Sequence, residues 1–151
     1  MARRMIVKMG DDILRKRSKE VVEFDKNLAT LIDDMKETMI FSDGVGLAAP
    51  QVGVLKRVAV VSADGRTFYE FVNPVIIDRS GIQLCREGCL SVPGISGEVE
   101  RPQKIEVLAY DRNGVRFDFK AEGFLADICC HEFDHLDGIL FVDKMVPERG
   151  R

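Results

Sequence analysis

The placement of two histidines is the feature that most constrains how this chain can fold. His131 and His135 are its only histidines, and Glu132 follows the first of them in the segment HEFDH. Side chains four positions apart on an α-helix lie about one turn apart and project roughly 40° from each other. Two imidazoles at this spacing can bind one metal ion, and the glutamate between them can hold a metal-bound water. The motif therefore predicts a helix that carries a hydrolytic metal site.

The third protein ligand of such a metal is limited by the composition of the chain. There is no further histidine, and Glu148 is the only glutamate after His135, so we expect no carboxylate ligand from a following helix. A thiolate is the remaining good ligand type. Cys89 lies in the compact segment EGCLS, where Gly88 permits an unusual backbone approach. We therefore expect Cys89 to complete the site.

Cys85 leaves a second interpretation open, because with Cys89 and the two histidines it could close a four-ligand structural zinc site. Such a structural site would make the protein a module that binds a partner. Among enzymes, the alternative interpretation is another metal-dependent amidase or peptidase with the HExxH motif. The long separation of Cys89 from His131 is unlike a compact zinc finger, and a closed site would leave Glu132 without a role. Cys85 is more simply interpreted as an apolar strand residue. Two thiols adjoin the first histidine and are expected to pack in the core: Cys129 and Cys130.

Length and composition exclude several classes of protein. The chain has 151 residues, 46% hydrophobic and 31% charged, which is typical of one soluble globular domain, expected over residues 1–151. The formal net charge of -3 argues against strong binding to nucleic acid or anionic lipid. No apolar run approaches the roughly 18 residues that span a bilayer, and the N-terminus lacks the apolar segment of a secretory signal. We expect a cytoplasmic protein with reduced thiols and no membrane partner.

Hydrophobic periodicity predicts an α+β fold. Apolar residues recur at three- and four-residue steps over residues 25–41, which predicts an amphipathic helix with Asp25 as N-cap and Gly44 as its stop. Helical spacing returns over residues 122–137 and ends at Gly138. This order of elements favours mostly antiparallel strands around a central helix that carries the HEFDH segment. The predicted strands span residues 57–62, 68–77, 104–110 and 115–119.

A glycine-rich segment, GVGLAAPQ at residues 44–51, follows the first predicted helix. It matches the loose form of a dinucleotide-binding fingerprint, but that fingerprint must follow a strand and open a helix, so we reject the match. A helix-terminating loop explains Gly44 and leaves Gln51 unexplained. An amide side chain beside a metal could hydrogen-bond a developing oxyanion, and Gln51 is our candidate for that position.

Three segments stand in a fixed order along the chain: GVGLAAPQ, EGCLS and HEFDHLDG. Together they resemble the three signature motifs of the peptide deformylases, and the resemblance extends along nearly the whole chain. That family removes the N-formyl group from the initiator methionine of new polypeptides and releases formate. The resemblance implies attack by a metal-activated water, with Glu132 as general acid and base and with Gln51 and the Leu90 backbone N–H as oxyanion donors. The implied metal ligands, with water as the fourth, are Cys89, His131 and His135.

The resemblance also implies a pocket for the methionine side chain. The glycine-rich segment and the stretch around Gly88 offer backbone to an extended peptide, so strand addition is the expected mode of substrate binding. That mode needs little from later side chains, and we expect tolerance beyond the first residue. Glu87 would need a cationic partner if buried, and Arg101 is our candidate. The expected substrate-binding residues are Val45, Gly46, Glu87, Gly88, Phe124 and Ile128.

By the same resemblance the cofactor is one divalent metal ion, with Fe²⁺ as the physiological metal and Zn²⁺, Ni²⁺ or Co²⁺ able to occupy the same ligands. The expected partners are formylmethionyl nascent polypeptides, met near the ribosome exit tunnel. Two positions depart from the family pattern. Cys130 stands where glutamine is usual, and we expect only a change in packing. Asp127 stands where some relatives place an apolar residue near the methionine pocket, which leaves the lining of that pocket open.

Overall fold

A computed structural model describes residues 2–147 of the chain, so Glu148 lies outside the described residues. Two helices, α1 (Lys26–Phe41) and α2 (Phe124–Leu136), flank a run of strands, which is the predicted order. Three short 3-10 helices lie within the described part of the chain, at Asp12–Arg15, Ala49–Val52 and Phe141–Asp143. The strands within residues 2–147 are β1 (Gly46–Ala48), β2 (Val58–Val61), β3 (Tyr69–Ser80), β4 (Gln83–Cys89), β5 (Val92–Arg101), β6 (Lys104–Tyr110) and β7 (Arg116–Glu122).

Antiparallel pairing joins five of the strands into one sheet, in the order β1-β2-β3-β6-β7. Strands β4 and β5 form a separate antiparallel hairpin. The register of this hairpin shifts between Gly88 and Cys89, so that Cys89 pairs with Val92 across a tight turn. A register shift of this kind redirects a side chain out of the regular alternation, and here it occurs at the cysteine that the sequence singled out.

Strand β2 is buried on both faces because a helix covers each side of the sheet. Val58 and Val60 pack in the cluster that contains the apolar face of α1. Ala59 and Val61 pack in the cluster that contains α2. Successive side chains of a strand point to opposite faces, so the alternation follows from strand geometry. The sheet therefore lies between the two helices and holds α2 in place from one side.

Both predicted helices are confirmed, with a small change at the start of the second. Helix α1 begins after Asp25, whose side chain accepts the backbone N–H of Leu28 at 3.0 Å. Helix α2 begins later than predicted because Glu122 completes β7 and Gly123 takes a φ of 62°, which favours glycine. Neither described helix has the length and apolar composition that crossing a bilayer requires.

The four predicted strands correspond to β2, β3, β6 and β7, of which β3 and β7 extend to Ser80 and Glu122. Sequence patterns did not predict β1 or the β4–β5 hairpin. Strand β1 has three residues and lies inside the glycine-rich segment that was interpreted as a loop. Strand β5 contains Pro93 and two glycines, and β4 contains a glycine and charged residues, all of which weaken the strand signal.

Candidate metal centre

Side chains from two distant parts of the chain converge at one point. His131 and His135 project from one face of α2, with their ring centroids 5.2 Å apart. Cys89 reaches them from the end of β4, and its Sγ lies 3.4 Å from Nε2 of His135. One donor atom from each of the three residues lies within 4.8 Å of the other two. Among the described residues, Cys85 does not join this group although it lies in the same strand as Cys89, which argues against the four-ligand alternative.

The contacts of the two imidazoles show which of their nitrogens face this group. Nδ1 of His131 lies 2.8 Å from Oε1 of Glu87, which leaves Nε2 as the nitrogen that faces the cysteine and the second histidine. Nε2 of His135 faces the sulfur of Cys89. Burial and the neighbouring His131 lower the pKa of His135 to about 3, so this ring is neutral, which is the form that binds metals.

Glu87 is fixed by a buried ion pair with Arg101, the partner predicted for it. Arg101 donates from Nε and Nη2 to the two carboxylate oxygens of Glu87, at 2.7 and 2.8 Å. The remaining Nη1 donates to Asp134 at 2.7 Å. Burial alone would raise the pKa of Glu87, but hydrogen bonds from Arg101 and His131 hold it well below its usual range. The carboxylate therefore stays charged and orients the His131 ring.

Glu132 lies next to the two histidines and is almost fully buried. It is 4% exposed, and its Oε1 has no hydrogen-bond partner among the described residues. Burial raises the pKa of this carboxyl to about 7. The same carboxyl group packs against the backbone of Gly46 in β1. An unpartnered carboxyl that titrates near neutrality can accept a proton and return it.

Gln51 is held beside the same group by hydrogen bonds at both ends of its amide. Its Oε1 accepts the backbone N–H of Ala48 at 2.9 Å. Its Nε2 donates to Oγ of Ser91 at 3.1 Å and lies 3.5 Å from the sulfur of Cys89. The short 3-10 helix Ala49–Val52 brings the amide to this position immediately after β1. Gln51 thus has its N–H donors beside the cysteine.

A cavity of about 420 Å³ opens beside these groups. It lies between the glycine-rich segment, the β4–β5 hairpin and the first turns of α2, and Cys89, His131 and Glu132 line it. The predicted substrate-binding and oxyanion residues all line it as well: Val45, Gly46, Gln51, Glu87, Gly88, Leu90, Phe124 and Ile128. Sequence reasoning missed further lining residues because it did not predict the hairpin that supplies most of them: Asp43, Arg86, Val92, Pro93, Gly94 and Ile95.

Asp127, the residue that departs from the family pattern, also lines the cavity. It lies one turn before His131 on α2, on the same face of the helix. Burial and the neighbouring Glu87 carboxylate raise the pKa of Asp127 to about 7. The lining of the pocket, which the sequence left open at this position, therefore includes the carboxyl group of Asp127. Cys129 and Cys130 are buried in the core beside it, as predicted.

The donor set fits a divalent cation. Two imidazoles and a thiolate are ligands that Zn²⁺ and Fe²⁺ accept. The unpartnered Oε1 of Glu132 adds an acceptor close by. The three residues are therefore a candidate metal-binding group with an acid–base residue beside it.

Comparisons with known proteins point to one family. The family described as polypeptide deformylase matches residues 3–151. Peptide deformylase of Caldicellulosiruptor bescii is 57% identical over 146 residues, which cover 97% of this chain and 87% of the relative. Peptide deformylase 1 of Clostridium acetobutylicum is 50% identical over 150 residues, which cover 99% of both chains. The crystal structure of peptide deformylase from Thermotoga maritima is 40% identical and superposes with a TM-score of 0.94, covering 97% of this chain and all of that one.

Proposed function

The chain belongs to the peptide deformylase family, the hydrolases that remove the N-formyl group from nascent polypeptides, and on this basis we propose a role for each residue of its site. One observation carries the proposal. Glu132 is a buried carboxyl with an unpartnered oxygen, and it lies beside a cluster of one thiol and two imidazoles. That combination supplies a proton acceptor next to a metal-binding group, which is what amide hydrolysis by water requires.

The ligands that we propose for one divalent cation are Sγ of Cys89 and Nε2 of His131 and His135. When bound, the cation supplies the Lewis acidity that makes water a nucleophile near neutral pH. The mixed thiolate and imidazole donors suit Fe²⁺, which we propose as the native metal, and also Zn²⁺, Ni²⁺ or Co²⁺. Glu87 serves as a positioning residue, because it accepts the Nδ1–H of His131 and fixes the ring.

Glu132 moves the proton in the proposed reaction. Water adds to the formyl carbon while Glu132 accepts one of its protons. The C–N bond then breaks, and Glu132 returns the proton to the departing amine nitrogen, which yields formate and a free amino terminus. Because burial raises the pKa of Glu132 to about 7, the same carboxyl can take and release a proton near neutral pH.

Gln51 and the backbone N–H of Leu90 are the proposed donors to the formyl oxygen, on which negative charge develops. The Gln51 amide is anchored through its Oε1 by the N–H of Ala48, so its donor end is in place before substrate arrives. A preorganised donor of this type stabilises charge that appears only in the transition state. Removing one such donor typically lowers kcat by about 100- to 1,000-fold.

The cavity supplies the proposed binding site for the first residue of the substrate. The apolar wall that we propose for a methionine side chain consists of Val45, Phe124 and Ile128. The backbone of Gly46 and Gly88 is available to an extended peptide. The proposed substrates are formylmethionyl nascent polypeptides, which the enzyme meets in the cytoplasm near the ribosome exit tunnel. We assign the whole activity to a single domain of residues 1–151.

Formate release from the peptide formyl-Met-Ala-Ser tests this proposal. The protein is prepared without oxygen and loaded with Fe²⁺, and we expect turnover that a chelator abolishes and added Fe²⁺ restores. Tight metal binding without formate release would favour the structural zinc module instead. Equal rates on formyl-Met-Ala-Ser and acetyl-Met-Ala-Ser would favour a general amidase.

A further inference from the structure

The N-terminal segment of residues 7–9 lies against both segments that carry the proposed oxyanion donors. The backbone N–H of Val7 donates to the carbonyl of Gln51 at 2.7 Å. The backbone N–H of Met9 donates to the carbonyl of Ser91, also at 2.7 Å. A short stretch of backbone therefore joins two parts of the site that come from distant positions in the chain.

The side chain of Lys8 makes a third hydrogen bond between these two. Its Nζ donates to the backbone carbonyl of Leu90 at 3.2 Å. Lys8 is exposed and lies outside the lining of the cavity, so we assign it no contact with substrate. Leu90 is the residue whose backbone N–H we propose as a donor to the formyl oxygen. Lys8 thus binds the other backbone polar group of that same residue.

The carbonyl groups of Leu90 and Ser91 lie outside the paired register of the β4–β5 hairpin. These two residues form its turn, and the pairing ends immediately before and after them. Both carbonyls are bound by the N-terminal segment instead, one by Lys8 and the other by Met9. A backbone group outside a ladder takes its partner from elsewhere, and here that partner comes from residues 7–9.

Holding the carbonyl of Leu90 also restrains its N–H. A residue has only two soft backbone dihedrals, so fixing one of its polar groups limits the rotation of the other. The N–H must be well placed to act on the formyl oxygen, because a displacement of about 1 Å can cost on the order of 100-fold in rate. Gln51 is fixed by hydrogen bonds at both ends of its amide. The hydrogen bond from Lys8 does the corresponding work for Leu90.

We propose that Lys8 is a positioning residue for the oxyanion donor of Leu90. It acts through the carbonyl of Leu90 and belongs neither to the metal-binding group nor to the cavity lining. The inference rests on the proposed function, in which the Leu90 N–H stabilises negative charge on the formyl oxygen. Such a donor acts mainly in the transition state, so loosening it lowers kcat and leaves KM unchanged.

Lys8→Met tests the proposal, because methionine keeps an unbranched side chain of similar length and removes the donor. We expect kcat for formyl-Met-Ala-Ser to fall at least about fivefold, with KM and metal content within about twofold of the wild type. Lys8→Arg restores a donor and should keep at least about half of the wild-type kcat. Lys16→Met is the matched control, since Lys16 is an exposed lysine of the same N-terminal region, and its kcat should equal that of the wild type.

A second measurement follows the backbone of Leu90 directly. In protein loaded with Zn²⁺, which is diamagnetic, NMR relaxation dispersion of the backbone amides reports motion on the microsecond-to-millisecond timescale. We expect dispersion at Leu90 and Ser91 in Lys8→Met, and none at these residues in the wild type or in Lys16→Met. A lysine that contributed only to stability would lower the melting temperature without producing this local motion.

The outcomes separate positioning from a structural role and from failure of the proposed function. Wild-type kcat in Lys8→Met overturns the inference, and so does a loss of kcat that Lys8→Arg shares, since the hydrogen bond would then not be the cause. A fall in kcat with an equal loss of metal, or with no change in the motion of Leu90, shows a structural role and also overturns it. If the wild-type enzyme releases no formate, the proposed function itself fails, which is a different result from an active wild type that tolerates Lys8→Met.

Discussion

Oε2 of Glu132 lies so close to Gly46 that a β-carbon at this glycine would be 2.5 Å from it. Gly46 has no positive φ, so its backbone does not require glycine. The requirement is for space: strand β1 and helix α2 pack so closely that a methyl group would occupy the position of the carboxyl. The position of Glu132, for which we propose the proton transfer, therefore depends on Gly46 having no side chain.

Gly46→Ala should therefore displace Glu132 while leaving the fold intact. Because a displacement of about 1 Å can cost on the order of 100-fold, we expect kcat for formyl-Met-Ala-Ser to fall at least about 100-fold with normal metal content. Gly44→Ala is the matched control, since its β-carbon would meet the flexible side chain of Leu90, with Cδ1 at 2.8 Å, and should cost much less. Wild-type kcat in Gly46→Ala would show that the contact has no catalytic consequence.

Glu132→Gln tests proton transfer directly. Glutamine keeps the size and polarity of the side chain but cannot carry the proton, so turnover should fall at least about 100-fold. Metal content, measured by atomic absorption, should stay near that of the wild type because Glu132 is not a proposed ligand. A fully active variant would remove Glu132 from the mechanism.

Cys89→Ser and Cys85→Ser separate the three-ligand site from the four-ligand alternative. An alcohol is a much weaker metal ligand than a thiolate, so Cys89→Ser should lose most of its metal affinity. Cys85→Ser should retain metal, because Cys85 lies outside the cluster formed by the described residues. Competition with a fluorescent chelator measures both affinities. Equal losses in the two variants would favour the structural zinc site.

Acetylated substrates test the shape of the site beside the metal-binding group. An acetyl methyl would push the carbonyl away from the donors that we propose on Gln51 and Leu90, so steric misfit and loss of oxyanion stabilisation should act together. We expect acetyl-Met-Ala-Ser to react at least about 1,000-fold more slowly than formyl-Met-Ala-Ser. Changes in the second and third residues should have weaker effects, and a strong dependence on them would contradict binding through the peptide backbone.

Glu70 belongs to an ion-pair network outside the cavity lining, and this network makes the stability of the fold depend on acid pH. Arg112 donates to both oxygens of Glu70 at 2.8 and 2.9 Å, and Lys36 of α1 lies 2.7 Å from Oε2. Hydrogen bonds from Arg112 lower the pKa of Glu70 from 4.5 to about 2. A carboxyl with a depressed pKa in the folded state stabilises the fold above pH 4.5 and loses that contribution as the pH falls toward 2.

Glu70→Gln should therefore lower the melting temperature at pH 7, and its difference from the wild type should shrink between pH 4.5 and 2. Glu122→Gln is the control, because its pair with Lys104 is exposed and 4.0 Å long and should contribute little. A difference from the wild type that stays constant down to pH 2 would assign the effect of Glu70→Gln to packing rather than charge.

The helices could be predicted because their information is local. The spacing of His131 and His135 determines that both face one side of α2, and Asp25 marks the start of α1 by its own hydrogen bond. Arg101 could be paired with Glu87 because a buried carboxylate needs a cation. In each case the residue type and its chemistry limit the structure to very few arrangements.

The remaining features depend on contacts between distant segments. No local pattern shows that Gly46 must leave room for Glu132, or that Ser91 accepts a hydrogen bond from Gln51. Sequence patterns do not predict the β4–β5 hairpin, because Pro93 and several glycines weaken its strand pattern. Its two strands nevertheless pair with each other along most of β4. Long-range packing overrides local preference in this hairpin, and the unpredicted part of the cavity lining comes largely from it.

The burial of β2 between two helices has a consequence for the chain while it is being made. Helix α1 precedes the strand, but α2 is the last long element among the described residues, so Ala59 and Val61 stay uncovered until residues 124–136 have been synthesised. An exposed apolar strand is a site for aggregation, and Lys56 and Arg57 place charge immediately before the strand, where it opposes such pairing. Synthesis of the helix that carries the histidines therefore also covers this face of β2 and removes an aggregation-prone surface from the nascent chain.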